Sequence, residues 1–228
     1  ALVKLGAKND KVVVFDADNL VHPDFLMEMN HHLCKGSKII QGYLDAKNPY
    51  DTWVAGTFAI AFWVIDHVSH LAKTNIGLSA VLGGTGMCIT TDVIREQGWR
   101  ATCLVEDMEF TMKSLATGIK TTWAHDAIVY DEKPLTFMQS WRQRKRWAQG
   151  QFDVAHRFIP KMLKEGIKQR KPYIWDGCIY LLQPHFLMIS TFFIIISYVQ
   201  LWTHPFYTNI YSILPSTLMT IIMLGQYI

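Results

Sequence analysis

The chain has 228 residues, half of them hydrophobic, and a formal net charge of only +3, which bounds it to one domain or one domain with an appendage. Its four cysteines, Cys34, Cys88, Cys103 and Cys178, form no CxxC pair, which argues against a zinc site or a disulfide framework and suits a reducing compartment. Charge is unevenly placed: all 22 Lys and Arg lie at or before Lys171, and beyond Pro172 the only formally charged side chain is Asp176. A chain that loses its charge at one point has changed solvent there.

In chain order, Lys11-Val12-Val13-Val14-Phe15 is a β-branched run that ends in Asp16-Ala17-Asp18-Asn19. It reads as a strand of an α/β sheet buried on both faces, because such strands are continuously apolar. Pro23-Asp24 opens a helical pattern with Phe25, Leu26, Met29 and Leu33 on one face. Residues 37–43 form a second strand candidate. Residues 52–71 form a long apolar helix with Trp53, Phe58, Phe62 and Trp63; its apolar run is short for a span and Asp66 and His67 follow it, so it is expected under the water-soluble domain or at a membrane surface. The loop Gly83-Gly84-Thr85-Gly86 feeds a strand at 87–90, and a helix follows from Thr91 to Gly98. Glu106-Asp107 opens another helix ending near Gly118. Residues 121–124 and 127–130 read as two short strands, and Pro134 leads into a basic aromatic helix from Phe137 to about Arg157. Strands alternating with helices predict an α/β sheet with ligands at the carboxyl ends of its strands.

Residues 178–202 are long and apolar enough for one membrane span, interrupted by Gln183, Pro184 and His185. Residues 210–228 begin a second, truncated span. The expected organisation is a water-soluble part at 1–150, a basic amphipathic junction at 151–172 and transmembrane helices at 173–228. The junction carries Lys161, Lys164, Lys168, Arg170 and Lys171, whereas the turn at 203–208 carries no Lys or Arg, which places the soluble part on the cytoplasmic side of a multi-pass cell-membrane protein.

Several residues can carry chemistry. Asp16 and Asp18 at a strand end can present two carboxylates to one point, a donor set that suits Mg²⁺ or Mn²⁺ with substrate phosphates completing the shell. Taken alone, such a triplet is a weak signal, because aspartates at strand ends are common as turn residues. Glu106 and Asp107 can supply a general base, or can be the acidic first turn of any helix. Gly84 and Thr85 can let backbone approach a sugar, or form an ordinary turn. The run Trp141-Arg142-Gln143-Arg144-Lys145-Arg146-Trp147 holds four cations and two indoles in seven residues. Arg forks match phosphate oxygens and an indole stacks on a sugar ring, although a juxtamembrane amphipathic helix has similar composition. His31-His32 and the His67, His70 pair have no Cys or acidic partner at ligand spacing and read as structural or surface residues.

The order DxD, Glu-Asp, Gln-Arg-x-Arg-Trp and then apolar helices resembles the family 2 inverting glycosyltransferases of the cellulose synthase, hyaluronan synthase and poly-N-acetylglucosamine synthase group. Gln143-Arg144-Lys145-Arg146-Trp147 matches that group's Q(Q/R)xRW signature. The resemblance implies a partial GT-A (Rossmann-like) domain followed by transmembrane helices. It implies that Asp16 and Asp18 hold the divalent cation and nucleotide diphosphate and that Asp107, beside Glu106, is the base. It further implies that Gln143, Arg144 and Arg146 line the diphosphate and acceptor side, that Trp147 stacks on the acceptor, and that Gly84 and Thr85 contact the acceptor. The expected partners are a UDP-sugar, UDP-glucose or UDP-N-acetylglucosamine, a growing β-linked polysaccharide, a lipid bilayer and accessory membrane subunits, with no nucleic acid. A transferase adding one sugar to a lipid, a transporter subunit and an inactive scaffold are the competing readings. Two departures stand out: the group's Thr-Glu-Asp triplet is Val105-Glu106-Asp107 here, and its first nucleotide-binding strands and early aspartate would precede Ala1. On that ground these 228 residues alone are expected to be inactive.

Overall fold

The computed structural model describes residues 11–99 and 102–203, with side chains through 196. The described part divides into two compact units at Gly177/Cys178. The first unit is built on a five-stranded sheet of order β1-β4-β3-β5-β2, with β1 Lys11–Val14, β2 Leu20–Val21, β3 Ile39–Ala46, β4 Met87–Thr90 and β5 Thr121–Asp131. β3 and β5 pair in parallel, while β1–β4, β3–β4 and β2–β5 are antiparallel. The sheet is therefore mixed, as in α/β folds that carry antiparallel edge strands.

β3 is the central strand and is buried along nearly its whole length. Ile40 and Leu44 join Phe25 and Met29 of helix α1 (Phe25–Cys34) in one core cluster. Ile39 joins Ile89 and Phe110 in a second, and Tyr43 joins Trp123 in a third. The period-2 alternation of a strand sends these neighbours to opposite faces. β1 differs from its sequence reading: it is half-exposed, because in the described sheet it lies at the edge, paired with β4 only. The two strand pieces read at 121–124 and 127–130 are one strand, broken in register where Gly42 faces Ala124 and Tyr43 faces Ile128. This bulge is what interrupts the apolar pattern.

The apolar helix predicted from residue 52 is α2 (Trp53–Val64), capped by Thr52 Oγ1 accepting from the Ala55 N–H at 3.1 Å. It continues as a π-helical stretch, Ile65–Leu71, and a last turn, α3 (Ala72–Asn75). Asp66 in the π stretch is 2 % exposed and accepts from the Leu44 N–H at 3.3 Å, which fastens this helix to the sheet. Trp53–Asn75 is also long and apolar enough to cross a membrane by length and composition, but its packing on β3 and its buried carboxylate mark it as part of the sheet domain. Trp53, Ile60, Val64 and Val68 remain exposed on its outer side.

Helices α4 (Thr91–Gln97) and α5 (Glu106–Ala116) precede β5. Helix α6 spans Phe137–Gln169, twelve residues further than the sequence reading and through most of the basic junction. Its start is a capping box: Thr136 Oγ1 accepts from the Gln139 N–H at 3.3 Å, and Gln139 Oε1 accepts from the Thr136 N–H at 3.1 Å. Arg170 (φ 53°) ends α6, and Pro172 opens α7 (Pro172–Thr203). Asp176, in the first unit, pairs with Lys73 at 2.9 Å, both side chains 12 % exposed. In the second unit α7 continues unbroken through Pro184; Pro172–Ile196 is long and apolar enough to span a membrane, with mean hydropathy 1.8. The second span expected at 210–228 lies outside the described residues.

Candidate active site

Strand directions decide which loops meet. β1 and β3 both run antiparallel to β4, and β5 runs parallel to β3, so β1, β3 and β5 end on the same edge of the sheet. Val14 pairs with Met87, which brings Asp16-Ala17-Asp18 beside the loop Gly83-Gly84-Thr85-Gly86 that enters β4. Leu20 pairs with Tyr130, which brings the same aspartates to Asp131 at the end of β5. Hydrogen bonds then fix the junction. Thr85 Oγ1 accepts from the Asp16 N–H at 3.1 Å. The Asn19 amide, oriented to satisfy its neighbours, accepts from Thr85 Oγ1 at 2.5 Å and donates to Asp131 Oδ1 at 3.1 Å and Asp18 Oδ1 at 3.2 Å. Lys47 Nζ donates to the Asp18 carbonyl at 2.8 Å and pairs with Glu132 at 2.8 Å.

The glycine loop is held from below by Gln41, a buried polar residue of β3. Gln41 Oε1 accepts from the Gly83 N–H at 2.9 Å, and Nε2 donates to the Thr85 carbonyl at 2.9 Å and the Gly42 carbonyl at 3.0 Å. Gln41→Leu leaves buried backbone groups without partners, at a cost of about 2 to 4 kcal/mol. A lowered thermal midpoint with exchange protection lost at Gly83, bonded to Gln41, and at Gly42, bonded to the Gly86 carbonyl, is the expected result, and unchanged protection would show that the loop holds itself. Gly84 has φ +85°, and a Cβ there would lie 3.3 Å from Asp107 Oδ2. The loop backbone thus closely approaches the Asp107 carboxylate. Thr111 completes the joint, its hydroxyl accepting from the Leu82 N–H at 3.1 Å and donating to the Asp107 carbonyl at 2.9 Å.

Glu106 and Asp107 occupy the first turn of α5, where a helix N-terminus favours negative charge. Burial pushes the Asp107 carboxyl up to about 6, with Glu106 adding to the effect; the Met108 N–H, donating to Asp107 Oδ1 at 2.7 Å, and the Arg146 guanidinium offset part of it. Asp16 is also raised, first by burial and then by Asp131, Asp18 and Glu106, and Arg146 again opposes the shift. One guanidinium from α6 therefore acts on both acidic clusters.

The spacing of Gln143, Arg146 and Trp147 places them on one face of α6. The Trp147 ring lies 6.2 Å from Phe58 and 6.4 Å from Phe62 of α2. The Arg144 guanidinium stands 4.3 Å over the Phe58 ring. Asp16, Asp18, Gly84, Thr85, Glu106, Asp107 and Arg146 are thus brought together, Trp147 and Arg144 lie against α2, and Gln143 shares the Arg146 face. Val105, which replaces the threonine of the expected triplet, is buried against Gly150 of α6. Sequence reasoning missed Asn19, Gln41, Asp131 and Lys133; of these only Asp131, an acid at a strand end, carried any signal.

Among the described residues no three His, Cys, Asp or Glu side chains are gathered as a metal cage. The exposed pair Asp16 and Asp18 instead fits a hard cation that keeps water and takes phosphate oxygens, the habit of Mg²⁺ and Mn²⁺.

The model of glycosyl transferase family group 2 matches residues 11–227, nearly the whole chain. The chain belongs to that family. Among curated relatives of this family 2 chain, a protein of Bacillus subtilis named "Probable glycosyltransferase YdaM" is 33% identical over 98 residues, covering 42% of the chain and 23% of that protein. The Arabidopsis thaliana "Probable glucomannan 4-beta-mannosyltransferase 14" is 27% identical over 218 residues, covering 92% of the chain and 37% of the relative. The chain spans less than two fifths of the length of these relatives. The solved mannosyltransferase PcManGT of Pyrobaculum calidifontis, in complex with GDP-Man and Mn²⁺, superposes with TM-score 0.50 at 18% identity, covering 77% of this chain and 46% of that one. That likeness supports the GT-A-like fold of the family 2 domain.

Proposed function

We propose that the chain carries the catalytic centre of a membrane-bound, inverting glycosyltransferase that moves a sugar from a UDP-sugar onto the end of a growing β-linked polysaccharide, as in the cellulose, hyaluronan and poly-N-acetylglucosamine synthases. The observation that carries this reading is that one guanidinium, Arg146, lies within electrostatic reach of both Asp16 and Asp107. A leaving diphosphate needs cationic neutralisation on one side of the sugar, and an attacking hydroxyl needs a base on the other. Asp16 and Asp18 would hold Mg²⁺ or Mn²⁺, which supplies Lewis-acid stabilisation to the diphosphate. Arg146 and Arg144 supply fixed positive charge on the same side. Asp107, with Glu106 beside it, takes the proton of the acceptor hydroxyl as that oxygen attacks the anomeric carbon, so one displacement inverts the configuration. Gly84 and Thr85 offer backbone to the acceptor, and Gln143 and Trp147 form the platform on which its terminal sugar rests. In this reading residues 1–150 are catalytic, 151–172 run along the membrane surface and 173–228 lie in the bilayer. The lysines and arginines before Pro172 face the cytoplasm, and accessory subunits join in the membrane.

The test is a donor panel on the intact protein in membranes, with UDP-glucose, UDP-N-acetylglucosamine and GDP-mannose, the last because a relative and a structural neighbour are mannosyltransferases. A β-linked polymer from one UDP-sugar is the expected product. Turnover of GDP-mannose alone would remove the UDP assignment, a single added sugar would remove processivity, and silence with every donor would remove the reading entirely.

A further inference from the structure

We propose that Lys133 is a positioning residue that couples the Asp16–Asp18 carboxylate cluster to the Trp147 ring, so that donor and acceptor sides of the site are set by one buried ammonium. This rests on the roles proposed above for Asp18 and Trp147. Lys133 is 2 % exposed, and lysine is almost never so buried unless paired. Its backbone is clamped by Asn48, whose Oδ1 accepts from the Lys133 N–H at 2.8 Å and whose Nδ2 donates to the Lys133 carbonyl at 3.0 Å. The clamp fixes the backbone, and with it the direction in which the Cα–Cβ bond leaves the chain.

That direction ends between the two halves of the site. Lys133 Nζ lies 3.0 Å from Asp131 Oδ2 and 3.6 Å from the centre of the Phe62 ring. The other oxygen of Asp131 accepts from Asn19, which also bonds Asp18 and Thr85. The Phe62 ring touches Trp147. Buried Asp66 lies within electrostatic reach of the same ammonium. Two short chains therefore leave Lys133: one through Asp131 and Asn19 to Asp18, the other through Phe62 to Trp147. Removing the ammonium has a different consequence along each. Asp131 loses its ion-pair partner and keeps Asn19 and the more distant Lys47 against its charge, beside Asp16 and Asp18 where a diphosphate must approach, and Phe62 loses the cation over its ring and with it the fixed support of Trp147.

The experiment uses the intact protein in detergent or membranes, as wild type, Lys133→Met and the double variant Asp131→Asn/Lys133→Met, each compared at equal folded fraction. Steady-state KM for donor and for acceptor is measured, together with calorimetric binding of UDP in the presence of Mn²⁺. Lys133→Met is expected to raise both KM values at least fivefold and to weaken UDP binding by a similar factor. The double variant, which carries no added negative charge at 131, is expected to regain most of the UDP affinity while its acceptor KM stays raised. If Lys133→Met fails to fold, the double variant against wild type carries the same split. Both KM values and UDP affinity unchanged, with only kcat or yield reduced, would overturn the coupling. Asp107→Asn serves as the control that separates the two levels: activity surviving there sinks the site assignment itself, whereas an inactive Asp107→Asn beside normal KM values in the Lys133 variants sinks this inference alone.

Discussion

Asp107→Asn in the intact protein is expected to lower sugar transfer at least a hundredfold and, at the same time, to raise the thermal midpoint. The loss follows from the removal of the only atom that takes the acceptor proton in the proposed chemistry, an effect that general-base catalysis puts at about 10²- to 10⁴-fold. The gain follows from the same burial that prepares the base. The Asp107 carboxyl is raised from 3.8 to about 6, first by burial, so keeping it charged at neutral pH costs the fold about 2 to 3 kcal/mol. Because the folded value lies above the unfolded one, this group is most favourable to folding below about pH 4, and that contribution is lost as pH rises through 6. Asparagine keeps the acceptor for the Met108 N–H and removes the charge, which at neutral pH is worth several degrees in a domain of this size. The wild-type rate should fall on the acid side with a midpoint near pH 6 as the base takes a proton. An Asp107→Asn variant less stable than wild type would show that burial does not strain this carboxylate as described, and a wild-type profile flat down to pH 5 would show that Asp107 is not the base.

How much of this was legible beforehand depends on what kind of signal each residue leaves. Asp16, Asp18, Glu106, Asp107 and the 143–147 run were visible because each is an unusual residue type at an element boundary, and their order along the chain is itself informative. Their supports were not. Gln41 sits inside a buried apolar strand and its value depends on which loop passes over it, a matter of register between β3 and β4. Lys133 reads as one more basic residue near a proline, and only the pairing that ends β5 beside Asn19 and Phe62 makes it interior. Phe58 and Phe62 looked like generic apolar residues of a helix, yet the structure turns them toward Trp147. The same distinction runs through the fold. Continuous apolarity identified the β1 strand but not its place at the edge of the described sheet. The two-residue β2 has too little length to show any period. The π stretch at Ile65–Leu71 kept the helical pattern going, so sequence gave no sign of the altered winding that carries Asp66 inward.

Gly150→Ala is the second large effect, because it acts on the packing that holds the two motif groups in register. A Cβ at Gly150 would lie 2.7 and 2.8 Å from the two γ-methyls of Val105 and 3.1 Å from its Cβ. No rotation about χ1 relieves contact with both methyls, so α6 must move away from α5. Those two helices carry Arg146 and Asp107, and a displacement of a few tenths of an ångström or more at their crossing shifts the guanidinium relative to both carboxylate clusters. The expected cost is about 1 to 3 kcal/mol of stability, as for other overpacked interiors, with activity falling further than the folded fraction does, since positioning tolerates little error. Val105→Ala should restore room: Gly150→Ala/Val105→Ala is expected to recover most of the activity lost by Gly150→Ala, whereas Val105→Ala alone leaves a small cavity and a modest loss of stability. Non-additivity of that kind, read from thermal midpoints and turnover of the four proteins, is the signature of two residues sharing one contact. If Gly150→Ala proves as stable and as active as wild type, or if Val105→Ala brings no recovery, the close approach of the helices does not set the site. The valine that departs from the expected Thr-Glu-Asp triplet is then without a structural reason; with recovery, it is the residue against which the arginine-bearing helix is seated.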